Sequence, residues 1–282
     1  MRAQDFELLA RLLRERSGLV LTPEKTYLLE SRLTPLARRN GYETLDRLIE
    51  EIRAKSDEEL IREVTEAMTT NESFFFRDMT PFDNMKNHVL PMLRQKKAVD
   101  RRIRIWCAAC STGQEPYSLA MLLKENEAQW QGWRIEIIGT DIARNVLKKA
   151  QEGIYSQFEV QRGLPIQLMI KYFTQNGDLW QISKDLREMV TYKEFNLLSP
   201  FSGLGQFDVV FCRNVLIYFD PATKGEILRR LHGVMPVHGS LFLGAAETVI
   251  GITDKFKAVK GLRGLYVPTE AADTAPLAAA SA

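Results

Sequence analysis

The run IRIWCAACSTGQEPYSLAMLL, from Ile103 to Leu123, constrains the fold more than any other part of this chain. Its apolar start predicts a short buried strand, and the residues from Cys107 to Gly113 are small enough to let the backbone approach a ligand. Pro116 suits the first turn of a helix whose apolar face follows at helical spacing. A strand, a small-residue loop and a helix form the opening unit of a doubly wound α/β fold, which binds ligands at the carboxyl ends of its strands.

The next predicted strand, from Arg134 to Thr140, ends in Asp141. An acidic residue about 20 to 30 positions beyond such a loop commonly holds ribose hydroxyls. The loop CAACSTGQE contains no G-x-G-x-x-G, so it lacks the glycines that bring the backbone against a pyrophosphate. A ligand with a ribose and no phosphates fits better. S-adenosylmethionine is the common ligand of this kind, and Glu115 is then expected to face its amino-bearing part.

Composition limits the class of protein. The chain has 282 residues, of which 45% are hydrophobic and 26% are charged, as in a globular protein with one large domain, alone or with a small one. Its formal net charge of +2 gives no overall case for nucleic-acid binding. No apolar run approaches the roughly 18 residues that span a bilayer, and the start MRAQDFELLARLL lacks the apolar core of a signal peptide. We therefore predict a cytoplasmic protein that does not insert into membranes.

The three cysteines, Cys107, Cys110 and Cys212, do not suggest a disulfide framework because their number is odd. Cys107 and Cys110 have the C-x-x-C spacing of redox sites, but Cys110 is not at a clear helix start. There is also no second pair to complete a zinc site. A redox or metal role stays open as the minor alternative. We interpret these residues as small side chains that line the ligand loop, and we predict no metal cofactor.

The amino-terminal part of the chain is predicted to form short amphipathic helices with no catalytic signature of their own. The second helix is basic: Lys25, Arg32 and Arg39 recur every seven residues and share one stripe, while Arg38 is offset from it. This stripe is either a solvated face or a docking surface for an acidic partner helix. Pro35 lacks a backbone donor, which predicts a kink or break within the helix.

The segment TTNESFFFRD, from Thr69 to Asp78, does not fit a single amphipathic face because its three phenylalanines are consecutive. Such a segment is suited to cover a ligand, with Asn71 and Ser73 as hydrogen-bonding groups and Arg77 as a partner for a carboxylate. The alternative is a buried linker between domains, which explains the aromatic residues but not Arg77.

Two later stretches complete the α/β pattern. Asn176-Gly177 is a strong signal for a two-residue turn, and the residues around it predict an antiparallel hairpin inserted between units of the fold. The run FDVVF, from Phe207 to Phe211, has the near-continuous apolar character of a central parallel strand. The polar residues that follow it, in CRNVLIYF, are therefore expected at the ligand end of the sheet.

The predicted organisation is a helical domain over residues 1–70, a linker and ligand-covering segment over 71–98, and an α/β domain over 99–268 whose insert spans about 154–190. Residues 269–282 contain many Ala and few large apolar groups, which predicts a disordered tail. We find no internal repeat in the chain.

Several of these features together are similar to the chemotaxis receptor methyltransferase family, CheR, over nearly the whole chain. T-T-N-E-S-F-F-F-R and F-C-R-N-V-L-I-Y-F are highly specific motifs, whereas the loop CAACSTGQEPYS alone is a weak signal. The resemblance implies a small all-helical domain followed by a Rossmann-like class I S-adenosylmethionine-dependent methyltransferase domain with an inserted antiparallel β-subdomain. It also implies methyl transfer from S-adenosylmethionine to glutamate side chains on the cytoplasmic helices of chemoreceptors. The products are then glutamyl methyl esters and S-adenosylhomocysteine.

The resemblance also assigns residues to each part of the cofactor. Asn71, Ser73, Arg77 and Glu115 are assigned to its amino-acid end and cover, and Asp141 is assigned to its ribose. Asn196 and Leu197 are expected to flank the adenine, and Arg213 and Asn214 to line the rest of the site. Ser73 stands where threonine is common in the family, a mild departure because the hydroxyl remains.

Catalytic and docking roles follow from the same resemblance. Tyr218 is expected near the reacting methyl group, with Arg77 anchoring charge nearby, and Arg32 and Arg38 match positions of the family's receptor-docking helix. Some members have a longer, glycine-rich loop in the β-subdomain and bind a pentapeptide at a receptor's carboxyl terminus. The tight turn over residues 175–178 predicts an enzyme that is independent of this pentapeptide.

Three other functions stay open from the sequence. A dinucleotide-dependent oxidoreductase has the same fold class, although the missing G-x-G-x-x-G counts against it. A nucleic-acid methyltransferase is disfavoured by the near-neutral charge and because Asn196-Leu197-Leu198 does not supply an Asn-Pro-Pro-aromatic motif. A non-catalytic module that senses the cofactor is the third.

Overall fold

The computed structural model describes residues 1–55 and 57–271, which divide into two units. One unit contains residues 1–70 together with 218–223, and the other contains residues 71–217 together with the described residues from 224 onward. Every helix in the described part of the chain is too short or too polar to span a bilayer.

Leucines at helical spacing build the first unit. Its helices are α1 (Ala3–Ser17), α2 (Thr26–Arg39), α3 (Leu45–Ala54) and α4 (Glu58–Met68), and a 3-10 turn at Pro23–Lys25 precedes α2. Leu9 and Leu13 of α1 and Leu29 and Leu33 of α2 are fully buried in one shared core. A kink or break was expected at Pro35; helix α2 is continuous through this residue, so it does not break there.

The second unit contains two sheets. The strands, in chain order, are β1 (Arg102–Ala108), β2 (Arg134–Asp141), β3 (Ile154–Ser156), β4 (Phe173–Asn176), β5 (Leu179–Ile182), β6 (Val190–Glu194), β7 (Val209–Cys212), β8 (Ser240–Leu243), β9 (Phe256–Ala258) and β10 (Leu265–Pro268). The helices after α4 are α5 (Thr80–Asn84), a π-helical turn (Met85–Val89), α6 (Leu90–Lys96), α7 (Gln114–Lys124), α8 (Arg144–Glu152), α9 (Gln157–Gln161), α10 (Ile166–Tyr172), α11 (Lys184–Glu188) and α12 (Pro221–Gly233).

The larger sheet has seven strands in the order β6-β2-β1-β7-β8-β10-β9. The five strands from β6 to β8 are parallel, and β10 and β9 run antiparallel at one edge. The chain moves outward from β1 through β2 to β6 on one side and from β7 to β8 on the other. The order therefore reverses between β1 and β7, which is the switch point where such folds bind ligands. This confirms the predicted doubly wound α/β fold.

The register brings the ends of the three central strands to one level. Ala108 of β1 lies opposite Thr140 of β2 and opposite Cys212 of β7. Asp141 and Arg213 each follow this level by one residue, so the loops that contain them begin side by side.

The smaller sheet confirms the predicted antiparallel insert. Its strands lie in the order β3-β5-β4. Asn176 ends β4, and Gly177, with a φ of 60°, forms the tight turn into β5. On its inner side, Tyr155 and Phe173 are buried in the core of the larger domain.

Of the predicted disordered tail, only residues 269–271 are among those described. The N–H of Thr269 donates to the carbonyl of Lys255 at 3.0 Å. The rest of that prediction, on residues 272–282, lies outside the described residues, as does Ser56.

Candidate functional site

The loop after β1 is tied to the acid that follows β2. The Ser111 N–H donates to Asp141 Oδ2 at 2.9 Å, and the Ala143 N–H donates to Asp141 Oδ1 at 3.0 Å. Ala109 and Ser111 have φ values of 57° and 51°, a left-handed backbone that lets the loop turn tightly. Asp141 is buried, with its carboxylate fixed at the carboxyl end of the sheet.

The small residues of this loop serve close packing. Gly113 has a φ of 90°, and a methyl group there would lie 2.7 Å from Tyr192 Oη and 2.8 Å from Ala150 Cβ. Cys107 and Cys110 are free and buried, and burial raises the pKa of both thiols well above the ordinary value. Thiols held in this way are unreactive, which favours the packing role over the redox alternative. Among the described residues, no His, Cys, Asp and Glu side chains form a group suited to a metal ion.

Arg213 binds carboxylates from two other parts of the chain. Its side chain is 2% exposed, and Nη1 donates to Glu115 Oε2 at 2.8 Å, in the first turn of α7. Nη2 donates to Asp78 Oδ2 at 2.7 Å and to the carbonyl of Arg77 at 2.9 Å. Burial raises the pKa of the Glu115 carboxyl above its ordinary value, and the Arg213 guanidinium opposes that shift. We call residues 213–216 the β7 loop.

Residues 71–78, which we call the strap, reach the same group of side chains from another direction. The Asn71 carbonyl accepts a hydrogen bond from Ser111 Oγ at 2.6 Å, and the Phe76 N–H donates to Ser118 Oγ at 2.9 Å. Phe75 and Phe76 are buried, as the linker interpretation expected, but Arg77 is only partly buried. Its Nη1 donates to the Glu72 carbonyl at 3.0 Å. The strap is therefore both a packed connection and a source of polar groups. Ser73, the other polar residue predicted here, is half-buried within it.

The segment after β6 lies beside Asp141. The Phe195 N–H donates to the carbonyl of Asp141 at 2.9 Å, so Asn196 and Leu197 begin next to the acid. Asn196 Oδ1 accepts from the Leu198 N–H at 2.9 Å in a local turn, and Leu197 is buried. A polar side chain and an apolar one therefore lie close to Asp141, the residue predicted to bind the ribose.

The charges of these groups fit a nucleoside that carries an amino acid and no phosphates. Asp141 is buried and the Glu115 side chain is 12% exposed, and both carboxylates would repel a pyrophosphate. Both terminal nitrogens of the Arg213 guanidinium are hydrogen-bonded within the protein. Arg77 is partly exposed and suits the carboxylate of an amino acid. These charged side chains therefore fit S-adenosylmethionine and disfavour the dinucleotide alternative.

Two domains that characterise one protein family match this chain. The CheR methyltransferase all-alpha domain matches residues 4–69, and the CheR methyltransferase SAM-binding domain matches residues 71–265. The chain belongs to the CheR methyltransferase family. Chemotaxis protein methyltransferase 1 of Pseudomonas aeruginosa is 40% identical, covering 93% of this chain and 96% of that protein. Chemotaxis protein methyltransferase Cher2 of Pseudomonas putida is 38% identical with the same coverage. The chemotaxis protein methyltransferase of Borreliella burgdorferi is 35% identical, covering 88% and 89%.

The CheR match agrees with where the predicted cofactor residues lie. All of them, from Asn71 to Asn214, fall within the SAM-binding domain at residues 71–265. The structure joins Glu115 and Arg213 directly, and it joins Asn71 and Asp141 through Ser111. This CheR protein is thus a methyltransferase with an S-adenosylmethionine-binding domain.

The sequence interpretation missed two acids that contact the predicted site residues. Asp78 stands next to Arg77 in the segment already singled out, and a buried arginine nearby was the missing clue. Glu247 lies in the loop after β8 and accepts the N–H groups of the β7 loop. No spacing in the sequence indicates Glu247, since its donors in the β7 loop lie about thirty residues away.

The predicted catalytic residue Tyr218 and the predicted docking residues Arg32 and Arg38 all lie in the unit that contains residues 1–70 and 218–223. Tyr218 ends a 3-10 turn (Leu216–Tyr218), is half-buried, and its carbonyl accepts from the Val20 N–H at 3.1 Å. Arg32 Nη1 donates to the carbonyls of Met68 and Thr69, at 2.7 and 2.9 Å, and so binds the end of α4. Arg38 is exposed on α2.

Proposed function

We propose that this protein transfers the sulfonium methyl group of S-adenosylmethionine to glutamate side chains of chemoreceptors, giving glutamyl methyl esters and S-adenosylhomocysteine. Membership of the CheR methyltransferase family supports the reaction, and relatives named chemotaxis protein methyltransferases support the setting. The observation that carries the proposal is the buried Arg213 guanidinium, which pairs with Glu115 and Asp78 and lies one residue beyond the sheet end that also presents Asp141.

Each side chain is assigned to one part of the cofactor. The carboxylate of Asp141 is suited to accept the ribose hydroxyls, and Glu115 is suited to face the ammonium group. Arg77 is proposed to pair with the carboxylate, beside Asn71 and Ser73 of the strap. The remaining contacts are assigned to the adenine and the wall of the site: Asn196, Leu197, Arg213 and Asn214. When bound, S-adenosylmethionine supplies an electrophilic methyl group.

The acceptor places modest demands on the protein. A glutamate side chain has an ordinary pKa of about 4.3 and is ionised at neutral pH, so it needs no general base. The protein must hold one carboxylate oxygen in line with the methyl group, and such orientation alone accelerates a reaction greatly. We assign this task to Tyr218, whose hydroxyl can donate to the carboxylate, and we assign the anchoring charge to Arg77. Charge is neutralised as the methyl group moves, so a partly dry site favours the transition state.

We propose that the basic face of α2 receives the acidic receptor helices. Arg38 is exposed and available to a partner, whereas Arg32 already binds carbonyls at the end of α4. Arg38 is therefore expected to contribute more of the electrostatic attraction. The proposed setting is the cytoplasm, without membrane insertion or nucleic acid.

The proposed reaction is tested by transfer of labelled methyl groups from the cofactor into cytoplasmic receptor fragments. A base-labile label identifies an ester on glutamate. Asp141→Ala is expected to abolish binding of S-adenosylhomocysteine, while Tyr218→Phe is expected to slow turnover and retain binding. Normal methylation by both variants would contradict the assigned site. A base-stable label would contradict glutamate as the acceptor.

The proposed independence from a receptor pentapeptide has its own test. The turn between β4 and β5 is tight, with Gly177 at its centre. Calorimetry with a carboxyl-terminal receptor pentapeptide should show no binding. Micromolar affinity would overturn this part of the proposal and leave the reaction itself unaffected.

A further inference from the structure

Glu247 is a buried carboxylate that binds only main-chain groups in the described part of the chain. It lies beyond the end of β8 and is 8% exposed. Its Oε1 accepts from the N–H groups of Val215 and Leu216, at 2.9 and 2.7 Å. Its Oε2 accepts from the N–H groups of Asn214 and Gly244, at 2.8 and 2.7 Å. One side chain therefore satisfies three consecutive donors of the β7 loop.

The backbone of the β7 loop is shaped to present these donors. Asn214 has a φ of 59°, which is uncommon for a residue with a side chain. A left-handed residue in such a turn directs successive N–H groups into a concavity that binds anions. Here the anion is supplied by the protein itself, from the loop after the neighbouring strand.

The seat of the carboxylate is closed on its other side by Gly244. A methyl group at Gly244 would lie 2.8 Å from Asn214 Nδ2, 2.8 Å from Glu247 Oε2 and 2.9 Å from the Asn214 nitrogen. The β7 loop and the loop after β8 therefore pack closely around the Glu247 carboxylate. Neither loop can shift without losing hydrogen bonds of a buried charge.

We propose that Glu247 is a positioning residue for the cofactor site. It fixes the backbone of Asn214, and through it the direction of the adjacent Arg213 side chain, which reaches Glu115 and Asp78. It touches neither cofactor nor substrate, and the proposal rests on the proposed assignment of Arg213 and Asn214 to the cofactor. Loss of Glu247 therefore weakens the cofactor complex more than it slows the bound enzyme.

Glu247→Gln replaces one acceptor oxygen with an NH₂ group that faces N–H donors. The matched control is Asp208→Asn, at the opposite end of the same region of sheet, just before β7. Asp208 is also a buried carboxylate, 6% exposed, and its Oδ2 accepts the Arg104 N–H at 2.9 Å. Both variants disturb a buried acid, but only one of these acids contacts the β7 loop.

The measurements are the Kd of S-adenosylhomocysteine by calorimetry, and kcat and KM for S-adenosylmethionine, below the melting temperatures of all variants. Glu247→Gln should raise Kd and KM by about tenfold or more with kcat changed less, because an interaction that orients binding groups is lost. Asp208→Asn should stay within about twofold. Gly244→Ala keeps the carboxylate but places a methyl group against it, and should have the same effect as Glu247→Gln. If Glu247→Gln does not fold, Gly244→Ala is the test of the proposal.

Unchanged affinity in Glu247→Gln, or in Gly244→Ala where that variant decides, would overturn the inference. Equal losses in Asp208→Asn would overturn it too, because the effect would then be general destabilisation. Failure of the wild-type protein to bind S-adenosylhomocysteine would instead contradict the proposed function, so the two failures are distinguishable.

Discussion

The β7 loop and the strap border the same group of charged side chains, but different forces fix their positions. The β7 loop is fixed by buried charges: Glu247 binds its N–H groups, and Arg213 binds two carboxylates. Apart from Asp78, which pairs with Arg213, the strap is fixed by aromatic packing, by hydrogen bonds to Ser111 and Ser118, and by a pair near the surface. Buried charges must keep their partners, so the β7 loop has one permitted arrangement, whereas packed rings tolerate adjustment.

The aromatic rings of Phe74 and Phe75 in the strap contact the antiparallel insert. The Phe75 ring packs edge-on against Tyr155 and Phe173, with centroids 5.0 and 5.5 Å apart. The Arg162 guanidinium lies 4.4 Å from the Phe74 ring centroid. The insert therefore has a structural task at the cofactor site, in addition to any role in binding partners.

The largest effect is expected from removing the cation of the β7 loop. Arg213→Met leaves Glu115 buried beside no cation from the loop and frees Asp78, so the free energy of unfolding should fall by about 3 to 5 kcal/mol. Binding of S-adenosylhomocysteine should become undetectable. Chemical unfolding and calorimetry measure the two quantities. The control is Arg102→Met, which loses only a half-exposed pair with Glu136 and should change little. A loss below about 1 kcal/mol in Arg213→Met would show that the buried charges do not fix this loop.

A methyl group added behind the strap tests whether packing fixes it. Gly163 has a φ of 82°, and a methyl group there would overlap the Phe75 carbonyl oxygen. Gly163→Ala should therefore displace the strap and weaken S-adenosylhomocysteine binding by about tenfold, the usual scale of overpacking. Gly177→Ala is the matched control. Its φ is 60°, it lies in the same insert, and nothing lies within 4 Å of the added methyl group.

Both alanines would adopt a positive φ, so the main difference between them is the contact with the strap. Calorimetric Kd values for the two variants measure that difference. Equal affinities would mean that the strap adjusts freely, and the contrast with the β7 loop would then be larger than proposed.

The same contrast explains what the sequence could predict. Strands β1 and β2 and the turn at Gly177 follow from local patterns, and so does the position of Asp141 at a strand end. Glu247 does not, because its role arises only when the topology brings the loop after β8 beside the loop after β7. Arg32 shows the converse. Its spacing on α2 indicates an exposed basic stripe, yet its guanidinium binds carbonyls of Met68 and Thr69 at the end of α4.

A smaller effect is expected from pH. Burial raises the pKa of Glu115 above its ordinary value of 4.5, so ionising this group opposes folding increasingly as the pH rises from that value through the raised pKa. Binding has the opposite sign. The ammonium group of the ligand requires the ionised form, and affinity should fall as the pH decreases through the raised pKa.

Calorimetry with S-adenosylhomocysteine from about pH 7 to about pH 5 should therefore show a wild-type affinity that falls as the pH decreases. Glu115→Gln should bind more weakly at pH 7 and vary less with pH. A wild-type affinity that is constant over this range would contradict the assignment of Glu115 to the ammonium group.

The smallest effect is expected at the exposed edge of the strap. Arg162 Nη2 pairs with Glu72 Oε1 at 2.6 Å, and 39% and 57% of these side chains are exposed. Water screens such a pair, so Arg162→Met should weaken S-adenosylhomocysteine binding by less than about threefold. Glu72→Gln should have a similar effect. In calorimetry, the loss of binding free energy in the double variant should not exceed the sum of the losses in the two single variants. If Arg162→Met instead matched Gly163→Ala, the surface contacts would fix the strap as firmly as its buried rings, and the distinction between the two segments would reduce to the buried charges of the β7 loop alone.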